Sequence, residues 1–174
     1  MNDSPAIYVA CLASYSAGKL HGCWIHDVED KDEDDILEEI EAMLEASPEP
    51  NAEEWAIHDH SGFAGFRVDE REKLHNVVAM AELLEEFGDV GVAASNIESY
   101  DPINAKQLCE NFCGCYGSIE DYAEQYLSDT GQLDKLDESL RRYFDYEYYG
   151  RDLETDGDIV THRLDGDLYI FHSC

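Results

Sequence analysis

Acidic residues alternate with apolar ones from one end of this chain to the other, and that interleaving limits what it can fold into more than any other feature. The 174 residues hold 41 Asp and Glu against 11 Lys and Arg, a formal net charge of −30. Residues 1–60 carry 16 acids and 2 bases, residues 61–103 carry 9 and 3, and residues 104–174 carry 16 and 6. No acidic tail accounts for the excess, so it is not the usual solvated appendage. The acids must cover a folded body whose core is built from the residues between them. Such a surface repels itself and opposes compaction. Charge held in this way calls for a functional reason.

Folding itself is well supported. The chain is 44% apolar and carries 11 Tyr, 6 Phe and 2 Trp, whereas disordered polyanions combine high charge with low hydrophobicity. The length suits one domain, or two to three small ones. The opening MNDSPAIYVACLASYSAG lacks the basic region of a signal peptide. No apolar run approaches the ~18 residues of a membrane span, and an acidic surface is repelled by anionic lipid. A cytoplasmic protein without membrane contact is expected.

The pattern predicts an α+β fold, an elongated chain of three small domains. Residues 1–60 read as β-β-α-β, a small antiparallel sheet with a helix across it. A strand is expected over Ile7–Tyr15, a turn at Ser16–Gly18 and a return strand over Lys19–Ile25. A helix over Asp34–Ala46 follows, its stripe Ile36, Leu37, Ile40, Met43 and Leu44 at helical spacing. Asp32 or Asp30 caps it, and a strand near Glu54–His58 completes the sheet. Residues 61–103 read as a central helical domain. There Asp69-Glu70-Arg71-Glu72 is a variant capping box, Leu74, Val77, Val78, Ala81 and Leu84 form the buried face, and Gly88 is the stop. Val90–Ile97 is ambiguous, and Tyr100-Asp101-Pro102 marks the next junction. Residues 104–174 read as helices near Asn104–Phe112, Ile119–Leu127 and Ser139–Leu153. A β-hairpin or meander turning at Asp165-Gly166 ends the chain.

No catalytic, cofactor or metal site is expected. Cys109, Cys113 and Cys115 cluster without the paired C-x2-C spacing of structural zinc, and His58-Asp59-His60 reads as a strand end. With Cys11, Cys23 and Cys174 they are expected as reduced thiols. Two stretches approach a calcium loop. In the first, Asp152-x-Glu154-x-Asp156-Gly157, Arg163 stands at the last ligand position. In the second, Asp30-x-Asp32-x-Asp34, Asp35 stands where glycine is required. A hairpin turn and a helix N-terminus explain them more simply. There is no phosphate loop, no G-x-S-x-G elbow and no H-E-x-x-H helix. Direct nucleic-acid binding is excluded by the sign of the charge.

A uniformly acidic surface suits a basic partner. Duplex DNA carries one charge per ~1.7 Å of axis, so thirty charges match roughly 50 Å, or about 15 base pairs, and a dimer twice that. The carboxylates expected on the outer surface are Asp34, Asp35, Glu38, Glu39, Glu41 and Glu45; Glu70, Glu82, Glu85 and Glu86; and Glu120, Asp121, Glu124, Asp129, Asp134, Asp137 and Glu138. Two other readings fit the composition: a chaperone for basic proteins, and a halophilic surface kept hydrated in salt.

Several stretches resemble the ArdA antirestriction proteins. They are Pro5–Tyr15, Gly22-x-Trp24-Ile25, Ala46–Pro50, Glu53–Asp59, Phe112-Cys113-Gly114-x-Tyr116, Asp121–Glu124 and Leu140–Glu147, in order along the chain. The cysteine-rich Cys113–Cys115 and His162-Arg163 depart from that likeness. The resemblance implies an elongated, non-catalytic, three-domain α+β homodimer carried on mobile genetic elements. It also implies binding to the methyltransferase core of type I restriction–modification enzymes by imitating bent DNA. It assigns no single residue as essential.

Overall fold

The computed structural model describes residues 4–99 and 101–173, with Lys135 described by its backbone alone; Tyr100 and Cys174, both singled out from the sequence, lie outside the described residues. The chain is mixed helix and sheet, with two three-stranded antiparallel sheets among the described residues.

The first sheet has the order β2-β1-β3, from β1 (Ala6–Cys11), β2 (Gly22–Ile25) and β3 (Trp55–Ser61). Strand β1 stops at Cys11, short of the expected Tyr15. There the Leu12 N–H turns to the Glu54 carbonyl at 2.9 Å, and helix α1 (Leu12–Ser16) begins. The buried Ser14 hydroxyl meets that of Ser47 at 2.9 Å, which anchors the turn to the end of the next helix. Register shifts between Tyr8 and Val9, so that His58 is an extra residue bulged from β3.

Helix α2 (Glu33–Glu45) lies across this sheet and buries Ile36, Ile40 and Met43, as its stripe predicts. Asp32, not Asp30, is the cap, and it forms a reciprocal box with Asp35. The central helices are α3 (Leu74–Phe87), α4 (Asp89–Ile97) and α5 (Pro102–Glu110). Leu74, Val77, Ala81 and Leu84 are buried as expected, Val78 is half-buried, and Gly88 at φ 53° divides α3 from α4. The expected cap at Asp69 does not form. The Ile57 N–H takes the Glu70 carbonyl at 2.9 Å, drawing this stretch alongside β3, and α3 starts only at Leu74.

The second sheet has the order β4-β6-β5, from β4 (Phe112–Tyr116), β5 (Ile159–Leu164) and β6 (Asp167–His172). Strand β4 was not legible in the sequence. The hairpin turn is as expected: Asp165 and Gly166 both have positive φ, 51° and 101°, as a two-residue type I′ turn requires. Against the sheet lie α6 (Ile119–Asp129), capped by Ser118, and α8 (Tyr146–Thr155), capped by Asp145. The single helix expected over Ser139–Leu153 is two, since the short α7 (Glu138–Arg141) ends before Asp145 caps α8.

One apolar cluster runs from Ile7, Val9 and Ile57 of the first sheet through Ile36, Val77, Met80, Val92 and Leu108 to Phe171 of β6. A smaller one joins Tyr122 to Ile159, Leu168 and Ile170. No helix among the described residues is long and apolar enough to cross a membrane.

Candidate functional site

The carboxylates sort themselves cleanly from the core. Every described Asp and Glu is exposed except Glu29, Glu49, Glu72 and Glu98, which are half-buried. None is fully buried, because an unpaired charge in a low-dielectric interior costs several kcal/mol, about as much as a whole side chain gains by burial.

Helix α2 holds the densest array. Asp34, Asp35, Glu38, Glu39, Glu41 and Glu45 are all exposed, with Glu33 beside them. Asp34, Glu38, Glu41 and Glu45 follow one another at spacings of three or four residues, which puts them in one row along the helix. Among the described residues the ion pair on this helix is Glu39 with Lys31, at 3.6 Å. Three of the acids fall in the first turn, where they favour the helix dipole. Glu38, Glu41 and Glu45 remain unneutralised.

The remaining carboxylates are placed more sparsely. Glu82, Glu85 and Glu86 are exposed on α3, and Glu86 reaches Lys106 of α5 at 2.8 Å. Glu70 lies on the segment before α3, 4.0 Å from His58. Glu120, Asp121 and Glu124 are exposed on α6 with Asp129 in its last turn; Asp121 accepts a 2.7 Å hydrogen bond from the Ser118 hydroxyl. Asp134 pairs with Arg141 at 3.2 Å. Asp137 caps α7 ahead of Glu138. The Ser139 hydroxyl and N–H both donate to it and hold its carboxyl below the usual range. The fold thus gathers the α2 acids into one array and scatters the rest over separate elements.

The other sequence candidates do not converge. No group of three or more His, Cys, Asp or Glu side chains among the described residues could hold a metal ion. Cys109 is buried in α5, Cys113 is the bulged residue of β4, and Cys115 is exposed; these, Cys11 and Cys23 are free thiols. Asp152 and Glu154 lie in the last turns of α8 and Asp156 is its cap, so a helix end occupies the place where a hairpin turn was expected. Asp30, Asp32 and Asp34 surround the start of α2. Sequence reasoning passed over Glu33, Glu53 and Glu54, which the fold brings to one cleft beside Trp55. No local pattern marks that meeting, since it joins a helix start to the approach of a strand.

Fold and surface together define a small α+β protein whose distinguishing property is a carboxylate shell around an apolar core. The chain belongs to the ArdA family: the family model described as antirestriction protein (ArdA) matches residues 7–164, nearly all of it. A comparison with curated proteins found no match. Membership assigns the chain an antirestriction function, places it among inhibitors rather than enzymes, and implies that its targets are restriction–modification enzymes.

Proposed function

We propose that the protein blocks type I restriction–modification enzymes by entering the DNA-binding groove of their methyltransferase core, its carboxylates standing where DNA phosphates would. The observation that carries this reading is the charge density of α2. Its thirteen residues include seven acids, of which Glu39 is paired. At ~1.5 Å per residue the helix is about 20 Å long, so its free charges recur every ~3 Å, against ~3.4 Å along one DNA strand. Basic groups that track a phosphate strand meet a similar linear density here.

In this reading residues 1–60, 61–103 and 104–174 act as three small units in an elongated body, and two chains pair as a homodimer of about twice the length. The protein works in the cytoplasm of a cell receiving a mobile element, without cofactor and without binding nucleic acid itself. Attraction spread over many screened charges steers association and makes it fast.

The test is capture of a purified type I modification complex by the tagged protein, with and without competing duplex DNA. Stoichiometric capture that duplex DNA displaces supports the proposal. Equal capture of histones or polylysine would instead identify a general acceptor of basic proteins. Unfolding of the free protein at low salt would mark a halophilic surface.

A further inference from the structure

A cleft of about 610 Å³ opens between the start of α2, the residues leading into β3 and the start of α3. Leu37 and Trp55, both half-buried, form an apolar wall. Around it stand the carboxylates of Glu33, Glu53, Glu54, Glu70 and Glu72, with Arg71 and Lys73 as the two cationic side chains of the lining beside His75. Five acids against two cations leave the lining net negative, and among the described residues no ion pair joins Arg71 or Lys73 to these acids. Glu72 is held in place by the Asn76 amide, which donates to it at 2.7 Å. The acids come from three separate segments, and among the described residues no three of them form a group that could hold a metal ion. Carboxylates from three segments beside an aromatic wall suit a large, flat organic cation.

We infer that this cleft receives an arginine-bearing segment of the protein partner, an inference that rests on the basic groove proposed above. A guanidinium is planar, stacks on an indole face and bonds two carboxylate oxygens at once, whereas an ammonium is a strongly hydrated point charge. The aliphatic stem of the same side chain packs on Leu37. Five carboxylates against two cations disfavour an anionic ligand. The cleft then differs from the α2 row in kind: the row attracts at a distance, and the cleft adds an apolar wall on which one side chain packs, so that binding energy concentrates in few residues.

The chain has two tryptophans, and the second is an internal control. Trp24 sits on β2 with its ring 5.5 Å from Tyr8, and it does not line the cleft. Indole N–H signals of the full chain are followed by NMR while tri-arginine, tri-lysine or sodium chloride is added at equal ionic strength. The expected result is a saturable shift of the Trp55 signal with tri-arginine, a weaker one with tri-lysine and none with salt, while Trp24 stays still. Glu53→Gln with Glu54→Gln weakens tri-arginine binding about fivefold, the size expected of two partly exposed charge pairs. Both side chains are exposed, and the Glu54 carbonyl, which accepts from the Leu12 N–H, is untouched by the substitution. The charge-matched pair Glu38→Gln with Glu41→Gln, on the outer face of α2, weakens it less than about twofold.

Parallel shifts of Trp24 and Trp55, or equal losses in the two double variants, would overturn the cleft as an anchor. Inhibition of restriction is read separately. An inhibitory protein whose Trp55 is silent refutes the cleft alone. A protein whose Trp55 responds but which captures no modification enzyme refutes the proposed function alone.

Discussion

Asp32 and Asp35 cap one another at the start of α2. The Asp32 carboxylate accepts from the Asp35 N–H at 2.9 Å, and the Asp35 carboxylate accepts from the Asp32 N–H at 3.3 Å. Two like charges are thereby held close at the one place on the helix where negative charge is favourable. Further along, Glu41 and Glu45 are four residues apart with no cation between them, and there the same charge opposes the helix.

Removing one charge from α2 therefore has opposite effects at its two ends. Asp32→Ala should destabilise the protein by about 1 kcal/mol through the lost cap. Glu41→Gln should stabilise it by a few tenths of a kcal/mol by relieving like-charge repulsion. Urea unfolding followed by circular dichroism measures both, and two shifts of the same sign would refute the assignment.

Gly150 of α8 faces Ile119, the first residue of α6. A Cβ there would lie 2.8 Å from Ile119 Cγ1 and 2.9 Å from its carbonyl oxygen. Glycine to alanine inside a helix ordinarily gains up to ~1 kcal/mol. Here overpacking should win, with a net loss of about 1–3 kcal/mol. Thermal unfolding of Gly150→Ala checks the sign.

Phe171 of β6 is fully buried, in contact with Phe112 and in the same cluster as the central helices and first sheet. Phe171→Ala should cost about 3–5 kcal/mol. Both tryptophans lie before residue 61, so tryptophan fluorescence reports on the opposite end of the chain. The continuous core predicts that its urea midpoint falls with this substitution; an unchanged midpoint would show that the two sheets unfold independently.

Burial, reinforced by the charge of Glu86, pushes the Cys109 thiol from 9.0 up to about 11. The folded state keeps this proton where the unfolded chain has lost it. The contribution is intact below pH ~9 and is lost as pH rises toward 11. Over that window the protein should lose about 2 kcal/mol more than its Cys109→Ala variant does. Stability measured by urea at pH 8, 9.5 and 11 tests it, and Cys109 should resist thiol reagents at pH 8.

Salt should act in opposite directions on fold and binding. Raising it from about 50 to 200 mM should weaken capture of the modification enzyme by at least ~100-fold, as for a contact spanning several phosphate-like charges. The same change should raise the thermal midpoint of the free protein by screening its self-repulsion. Isothermal titration and thermal melts read the two effects.

Elements whose signals are local were legible in advance. The apolar stripe and acidic cap of α2 act within a few residues of each other, so its limits fell within one residue of those expected. The Ser118 cap and the Asp165-Gly166 turn are likewise local. Strand β4 was not legible, because Phe112–Tyr116 contains Gly114 at φ 146° and a bulge at Cys113, and its strand state rests on pairing with β6 at the far end of the chain. Asp69 carried a sound capping signal that lost to a long-range hydrogen bond between Ile57 and Glu70. At Asp145 the reverse occurred: a local cap was present, and the periodicity around it concealed the break.

What the sequence determined by itself was the sign and reach of the surface. Carboxylates resist burial wherever they fall, so a chain with acids in every segment must wear them outside, whatever its topology. Tertiary structure alone decided which of them meet. The row on α2 follows from a helical repeat that any reader of the sequence can draw. The cleft at Trp55 joins Glu33, Glu53 and Glu70 from segments that only chain closure brings together, because proximity between distant residues is set by packing of the core beneath them.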